Sequence, residues 1–233
     1  MKDFSATDWI KKRTPAGLKT AAKSALRRYD LKRAIRAIRQ LPAGEVPDRK
    51  VLLMLTEGWG NPGYEAKLDY LVEVATKAAA TPGPILECGS GLTTILTGLL
   101  AGRRGVELWS LEHTAEWRLR LMAVLSRHQI SNTQVVLAPL REFDGFTWYD
   151  APVELPDNFS LVICDGPPGD TPGGRYGLLP VAGNRLAKGA VILLDDVGRP
   201  SEQEVIERWR HETKLSVELH QNDEAGFATI TIR

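Results

Sequence analysis

The sequence predicts a doubly wound α/β fold, with a mostly parallel seven-stranded sheet and an N-terminal helical extension. Three observations carry that prediction. From residue 51 onward, short apolar runs of strand length alternate with segments of helical period, the pattern of a parallel sheet covered on both faces by helices. The run Pro84-Ile85-Leu86-Glu87-Cys88 leads into Gly89-Ser90-Gly91 and then a helical pattern, which reads as a strand, a tight turn and a helix. With 233 residues and 43% apolar content, the chain is long enough for one continuous core plus an appendage.

The appendage comes first. Residues 1–40 hold twelve Lys and Arg against Asp3, Asp8 and Asp30, which gives +9 and leaves −8 for the remainder of a chain whose net charge is +1. Leu18, Ala22, Ala25, Leu26 and Tyr29 recur at helical spacing, and Leu31, Ala34, Ile35, Ile38 and Leu41 continue it after Asp30. Two short amphipathic helices are expected, with Asp30 capping the second. Residues 1–50 thus form a basic helical extension and residues 51–233 the main domain. The favoured role for the basic face is to cover the acidic body or to stay solvated; an anionic membrane, met peripherally through residues 1–40, or a polymeric substrate is the alternative. No apolar run approaches the ~20 residues of a membrane span, and the basic N-terminus lacks the apolar stretch of a secretory signal, so a cytoplasmic protein is expected.

In the main domain a helix is expected over about 64–80. Strands follow at 84–88, 106–111, 134–138, 160–165, 190–195, 215–220 and 227–232, with helices near 92–102, 114–127, 175–187 and 202–213. Residues 140–158 lack a sustained period and contain two prolines, so a long loop is expected there. Ser201 with Glu204 three residues later has the capping-box pattern for the last helix. Cys88 and Cys164 lie in strand-like runs without metal-ligand spacing and read as buried free thiols. The four histidines show no partner spacing.

The glycine turn reads against NAD. Thr94 stands where a dinucleotide fingerprint needs its third glycine, and Glu87, two residues before Gly89, would repel phosphates but suits a positively charged ligand. The second strand delivers Glu112, 21 residues after Gly91, where a carboxylate can accept both hydrogen bonds of a ribose diol. The fourth ends in Asp165, followed by Gly166-Pro167-Pro168-Gly169, and the fifth ends in Asp195-Asp196. Neighbouring strands lie about 4.8 Å apart, so these acids meet at one rim, where they repel one another unless a cation or a shared proton intervenes.

From about residue 55 to the end, the chain resembles the class I S-adenosylmethionine-dependent methyltransferases, with a Rossmann-like fold. The resemblance implies that Glu87, Gly89, Ser90, Gly91 and Thr93 hold the methionine part of S-adenosyl-L-methionine, Glu87 by its ammonium, and that Asp165 borders the same cleft. An acid after strand four and an acidic pair after strand five resemble the metal-dependent catechol-type O-methyltransferases, which implies Mg²⁺ on Asp165, Asp195 and Asp196. Pro168 stands where those enzymes place a lysine base. The run GPPGDTPGGRYG resembles a loop of the glucuronoxylan methyltransferases, which modify a sugar hydroxyl. Enzymes that methylate amino groups of bases place an aromatic after Pro-Pro; here Gly169 stands instead, which makes nucleic acid an unfavoured substrate.

These resemblances imply an O-methyltransferase acting on a hydroxyl of a small molecule or glycan. Asp165, Asp196 and Arg199 are the expected catalytic residues, one aspartate serving as general base or all three acids holding the metal. Arg175, Tyr176 and Arg199 are candidate acceptor contacts, unless they pair with acids. Trp59, Asn61 and Tyr64 either close over the cofactor or pack in turn and core. Two other readings remain: an RNA methyltransferase recruited by the basic N-terminus, and a non-catalytic cofactor-binding interaction module.

Overall fold

The computed structural model describes residues 16–61, 66–221 and 226–233. Three helices, α1 (Ala16–Gln40), α2 (Arg49–Trp59) and α3 (Leu68–Ala80), precede the sheet. The sheet then alternates with helices: β1 (Ile85–Cys88), α4 (Leu92–Gly102), β2 (Leu108–Glu112), α5 (Ala115–Arg127) and β3 (Thr133–Leu137). A hairpin follows, β4 (Leu140–Phe143) and β5 (Phe146–Tyr149), before β6 (Phe159–Cys164). A short helix α6 (Leu178–Ala182), β7 (Leu186–Leu194), α7 (Pro200–Glu212), β8 (Leu215–Gln221) and β9 (Gly226–Ile232) complete the chain.

The main sheet has seven strands in the order β3-β2-β1-β6-β7-β9-β8. The first five run parallel, and β9 enters antiparallel between β7 and β8. β1 and β6 are apolar nearly throughout because helices cover both sheet faces, which removes the alternation of a half-exposed strand. The chain order reverses between β1 and β6, so the loops after β1 and β6 open a crevice at the carboxyl ends of the strands. One apolar cluster joins α1 to α5 on one face of the sheet; a second joins the hairpin, α6 and α7 on the other.

Four local expectations change. The head is one 25-residue helix rather than two, because no glycine or proline interrupts Leu18–Leu41 and Asp30 forms no break. What suggested two helices is a shift of the apolar stripe from one side of a continuous helix to the other. The expected loop at 140–158 contains the β4–β5 hairpin, closed by Asp144-Gly145 with Gly145 at φ +81°. Asp-Gly between alternating apolar residues is a hairpin signal. The helix expected over 175–187 breaks into two 3₁₀ turns around α6, since Gly174, Gly177, Pro180 and Gly183 interrupt it. The Ser201–Glu204 capping box does not form: α7 starts at Pro200 after Arg199, and the Ser201 hydroxyl donates to Glu202.

Candidate functional site

The glycine loop is held from beneath. The Glu87 side chain is fully buried, and its Oε2 accepts hydrogen bonds from Thr94 Oγ1 and Ser110 Oγ, both at 2.5 Å. Thr94 Oγ1 in turn accepts from the Gly91 backbone N–H at 2.8 Å. Thr94, which replaces the third glycine of a dinucleotide loop, therefore relays Glu87 to the turn. Burial pushes the Glu87 carboxyl up to about 7, against the hydroxyls of Ser110, Thr94 and Thr93, which favour its charged form. Its Oε1 has no hydrogen-bond partner among the described residues. The structure thus places Glu87 under the loop and joins it to the turn through Thr94.

Gly89 takes φ +90°, and a Cβ there would lie 3.0 Å from the backbone nitrogen of Gly166. The turn after β1 and the turn after β6 therefore touch backbone to backbone, which only glycine at both positions allows. A Cβ on Gly91, by contrast, would meet none of the described residues within 4 Å, so they leave this side of the loop open. Thr93 is buried in the first turn of α4.

Glu112 ends β2 beside the loop and is 4% exposed. Its Oε2 accepts from Ser90 Oγ at 2.7 Å and its Oε1 from the Thr114 N–H at 2.8 Å, with His113 Nδ1 at 3.3 Å. Ser90 is also fixed from below, where Trp117 Nε1 donates to its carbonyl at 2.8 Å. Trp117 meets Trp59 edge to face at 5.7 Å, and Arg120 lies over both rings. Trp59 is 7% exposed, so it supports the loop from the core. Asn61 is half-buried; Tyr64 lies outside the described residues.

The acidic rim forms as the sequence predicts. Asp165, Asp195 and Asp196 bring carboxylate oxygens within 4.8 Å of one another, and Asp196 is held at φ +59°. The sequence does not reveal what lies beneath them. Arg175, 2% exposed, extends Nη2 to Asp165 Oδ1 at 3.0 Å and to Asp196 Oδ2 at 2.7 Å, while Nη1 donates to the Asp195 carbonyl. Its Nε faces the buried Glu202 at 3.9 Å. Arg175 is therefore an internal counter-ion and not an acceptor contact. Tyr176 also turns away, its hydroxyl donating to the carboxylate of Glu212, the last residue of α7. Arg199 stands at the rim, half-exposed, with Nη1 2.9 Å from Asp196 Oδ2.

Two guanidinium groups, the buried Arg175 and the half-exposed Arg199, face three carboxylates. Burial, then repulsion from Asp165 and Asp196, pushes Asp195 up to about 8; burial pushes Asp165 up to about 6, with Arg175 opposing and Asp196 adding. Burial works against the charge of Arg175, but Asp165, Asp196 and Asp195 hold it above its ordinary value.

A glycine turn at the switch point, a carboxylate ending the second strand and a β9 strand inserted antiparallel match a known architecture. The chain has the fold of the class I S-adenosylmethionine-dependent methyltransferases. The precorrin-6Y C5,15-methyltransferase of Geobacter metallireducens superposes with a TM-score of 0.55 at 16% identity, over 74% of this chain and 93% of that one. The tRNA (m1A58) methyltransferase of Aquifex aeolicus gives 0.54 at 16%, over 83% of each chain. A Podospora anserina methyltransferase with bound S-adenosylhomocysteine gives 0.54 at 16%, over 94% and 98%. No family model matches the sequence, and no curated protein does. No helix among the described residues is long and apolar enough to cross a membrane.

Proposed function

We propose that this chain is an S-adenosylmethionine-dependent methyltransferase acting on a hydroxyl of a small molecule or glycan. The observation that carries the reading is the juxtaposition of the open Gly89–Gly91 turn and Glu112 with the aspartate rim on the next strands of the sheet. The residues fit the cofactor: the Gly91 side of the loop is open, and a near-buried carboxylate stands where a ribose diol would need one. Glu112 must exchange its Ser90 hydroxyl bond for a sugar hydroxyl, a swap of similar partners.

Methyl transfer is an in-line displacement, so the protein's tasks are alignment, exclusion of water and removal of the acceptor proton. Alignment falls to the Glu87–Thr94–Gly91 relay, which fixes the turn, and to Arg199, whose exposed guanidinium can orient an acceptor. Proton removal falls to the rim. Burial pushes Asp165 up to about 6, which makes it the first candidate base; Asp196, whose Oδ2 both arginines engage, offers its Oδ1 as the alternative acceptor.

The rim also fits a divalent cation, since its donors are all carboxylate oxygens and, with all three ionised, carry more negative charge than Arg175 and Arg199 balance. Mg²⁺ on Asp165, Asp195 and Asp196 would lower the pKa of an acceptor hydroxyl. A screen of hydroxyl-bearing acceptor mixtures with labelled cofactor tests the reading. Label found only in RNA or on amines would overturn it.

A further inference from the structure

The outer face of α1 carries an apolar stripe that none of the described residues covers. At 3.6 residues per turn, Leu31, Ala34, Ile35 and Ile38 share one side of the helix, and all four are buried in the core. Ala22, Ala25, Leu26 and Tyr29 share a side centred about 180° away. All four are exposed, Leu26 by 60% and Tyr29 by 57%. One turn further on, the same outer side continues with Lys32, Arg33 and Arg36, again exposed, and Arg33 lies over the Tyr29 ring at 5.5 Å. Residues 20–40 hold seven bases (Lys23, Arg27, Arg28, Lys32, Arg33, Arg36, Arg39) and one acid, Asp30. The outward half of the helix does not pack on the acidic body, so of the two roles favoured by charge this face stays solvated.

The position of the helix is equally informative. Near its C-terminal end, Arg39 donates to the His128 carbonyl and the Ile38 carbonyl accepts from Arg103 at 3.3 Å, so this end lies by the last turns of α4 and α5. Arg27 lies against Gly60, where a Cβ would come within 2.6 Å of its Nε, and Gly60 follows Trp59 beside Trp117 in the first turn of α5. The helix thus packs on α2 and α4, and from Ile38 back to Arg27 it runs from the last turns of α4 and α5 towards Trp59 and Trp117, which support the glycine loop.

We propose that the outer face of α1, centred on Leu26 and Tyr29 and flanked by lysines and arginines, docks on an anionic lipid surface. An interfacial helix needs an apolar strip to enter the headgroup boundary and bases to meet anionic headgroups, and this face supplies both. RNA would use the bases but has no use for an exposed leucine. A second copy pairing through this face would bring like charges together. Docking requires no catalytic step, so its test is independent of the methyltransferase reading.

The experiment is cosedimentation of the full chain with vesicles of phosphatidylcholine alone or with added phosphatidylserine. Binding is expected only to the anionic vesicles and should weaken with salt. Leu26→Ser with Tyr29→Ser, both at exposed positions, should cut partitioning by about 10-fold or more with the melting temperature unchanged. Lys32→Glu with Arg36→Glu should do the same by the electrostatic route. Failure to bind anionic vesicles, binding that survives the serine pair, or a dimer that this pair dissolves would overturn the proposal. So would RNA binding by the full chain without vesicle binding.

Discussion

Arg175→Met removes the counter-ion beneath the rim while keeping an unbranched side chain of similar reach. In the wild type the guanidinium is 2% exposed and lies 3.0 Å from Asp165 and 2.7 Å from Asp196. Removing one partner of a buried ion pair costs about 3–5 kcal/mol, a large part of the ~5–15 kcal/mol that holds a domain folded. The loss should depend on pH. Asp195 and Asp165 have folded values of about 8 and about 6, raised above ordinary carboxylates, so the folded chain retains protons that the unfolded chain releases. Their contribution to stability is therefore fully present below the ordinary carboxylate pKa of about 4 and is lost as pH rises to about 6 for Asp165 and about 8 for Asp195, by up to ~1.4 kcal/mol per pH unit for each retained proton. At pH 5.5 Asp195 and Asp165 are largely neutral and Arg175→Met should cost less than at pH 8.5, where both are largely ionised and the full amount is expected. Urea unfolding of both proteins at the two pH values measures the difference. A loss below about 1 kcal/mol at pH 8.5, or a larger loss at pH 5.5, would refute the counter-ion role.

Three further predictions concern the loop and the rim. Thr94→Val cuts the relay between Glu87 and Gly91, leaves a second buried oxygen of Glu87 short of a partner, and should lower stability by ~1–3 kcal/mol in urea unfolding. Gly89→Ala forces a Cβ against Gly166 at positive φ, and calorimetry should find cofactor binding lost while far-ultraviolet dichroism stays near wild type. Chelation should abolish turnover on a verified acceptor, with Mg²⁺ or Mn²⁺ restoring it and Asp196→Asn raising the metal requirement; full activity in excess EDTA would leave an aspartate acting alone as base.

The fold was legible because alternation of strands and helices is a periodic signal, and the site because its residues end strands. Gly89, Gly91, Glu112, Asp165 and Asp195 all sit where a parallel sheet delivers side chains to one rim. Arg175 was not legible in this way. It lies in a glycine-rich stretch without a period, and its inward direction depends on Asp165 and Asp196 meeting across two strands, a contact no local pattern encodes. Ser110 likewise looks like one polar residue in an apolar strand until its register opposite Glu87 is known. The hairpin at 140–149 was legible in Asp144-Gly145 but hidden by the prolines after it. In α1, the apolar spacing was right and only the change of side was misread as a break.

The central claim is that the turn after β1 and the carboxylate ending β2 hold S-adenosylmethionine. Calorimetric titration of the protein with S-adenosylhomocysteine, repeated on Glu112→Ala, tests it most directly. One site per chain is expected, with affinity lowered in the variant by the ~1–3 kcal/mol of a buried hydroxyl losing its partner, and NAD should not compete. Absence of binding, or equal affinity in wild type and variant, would contradict it.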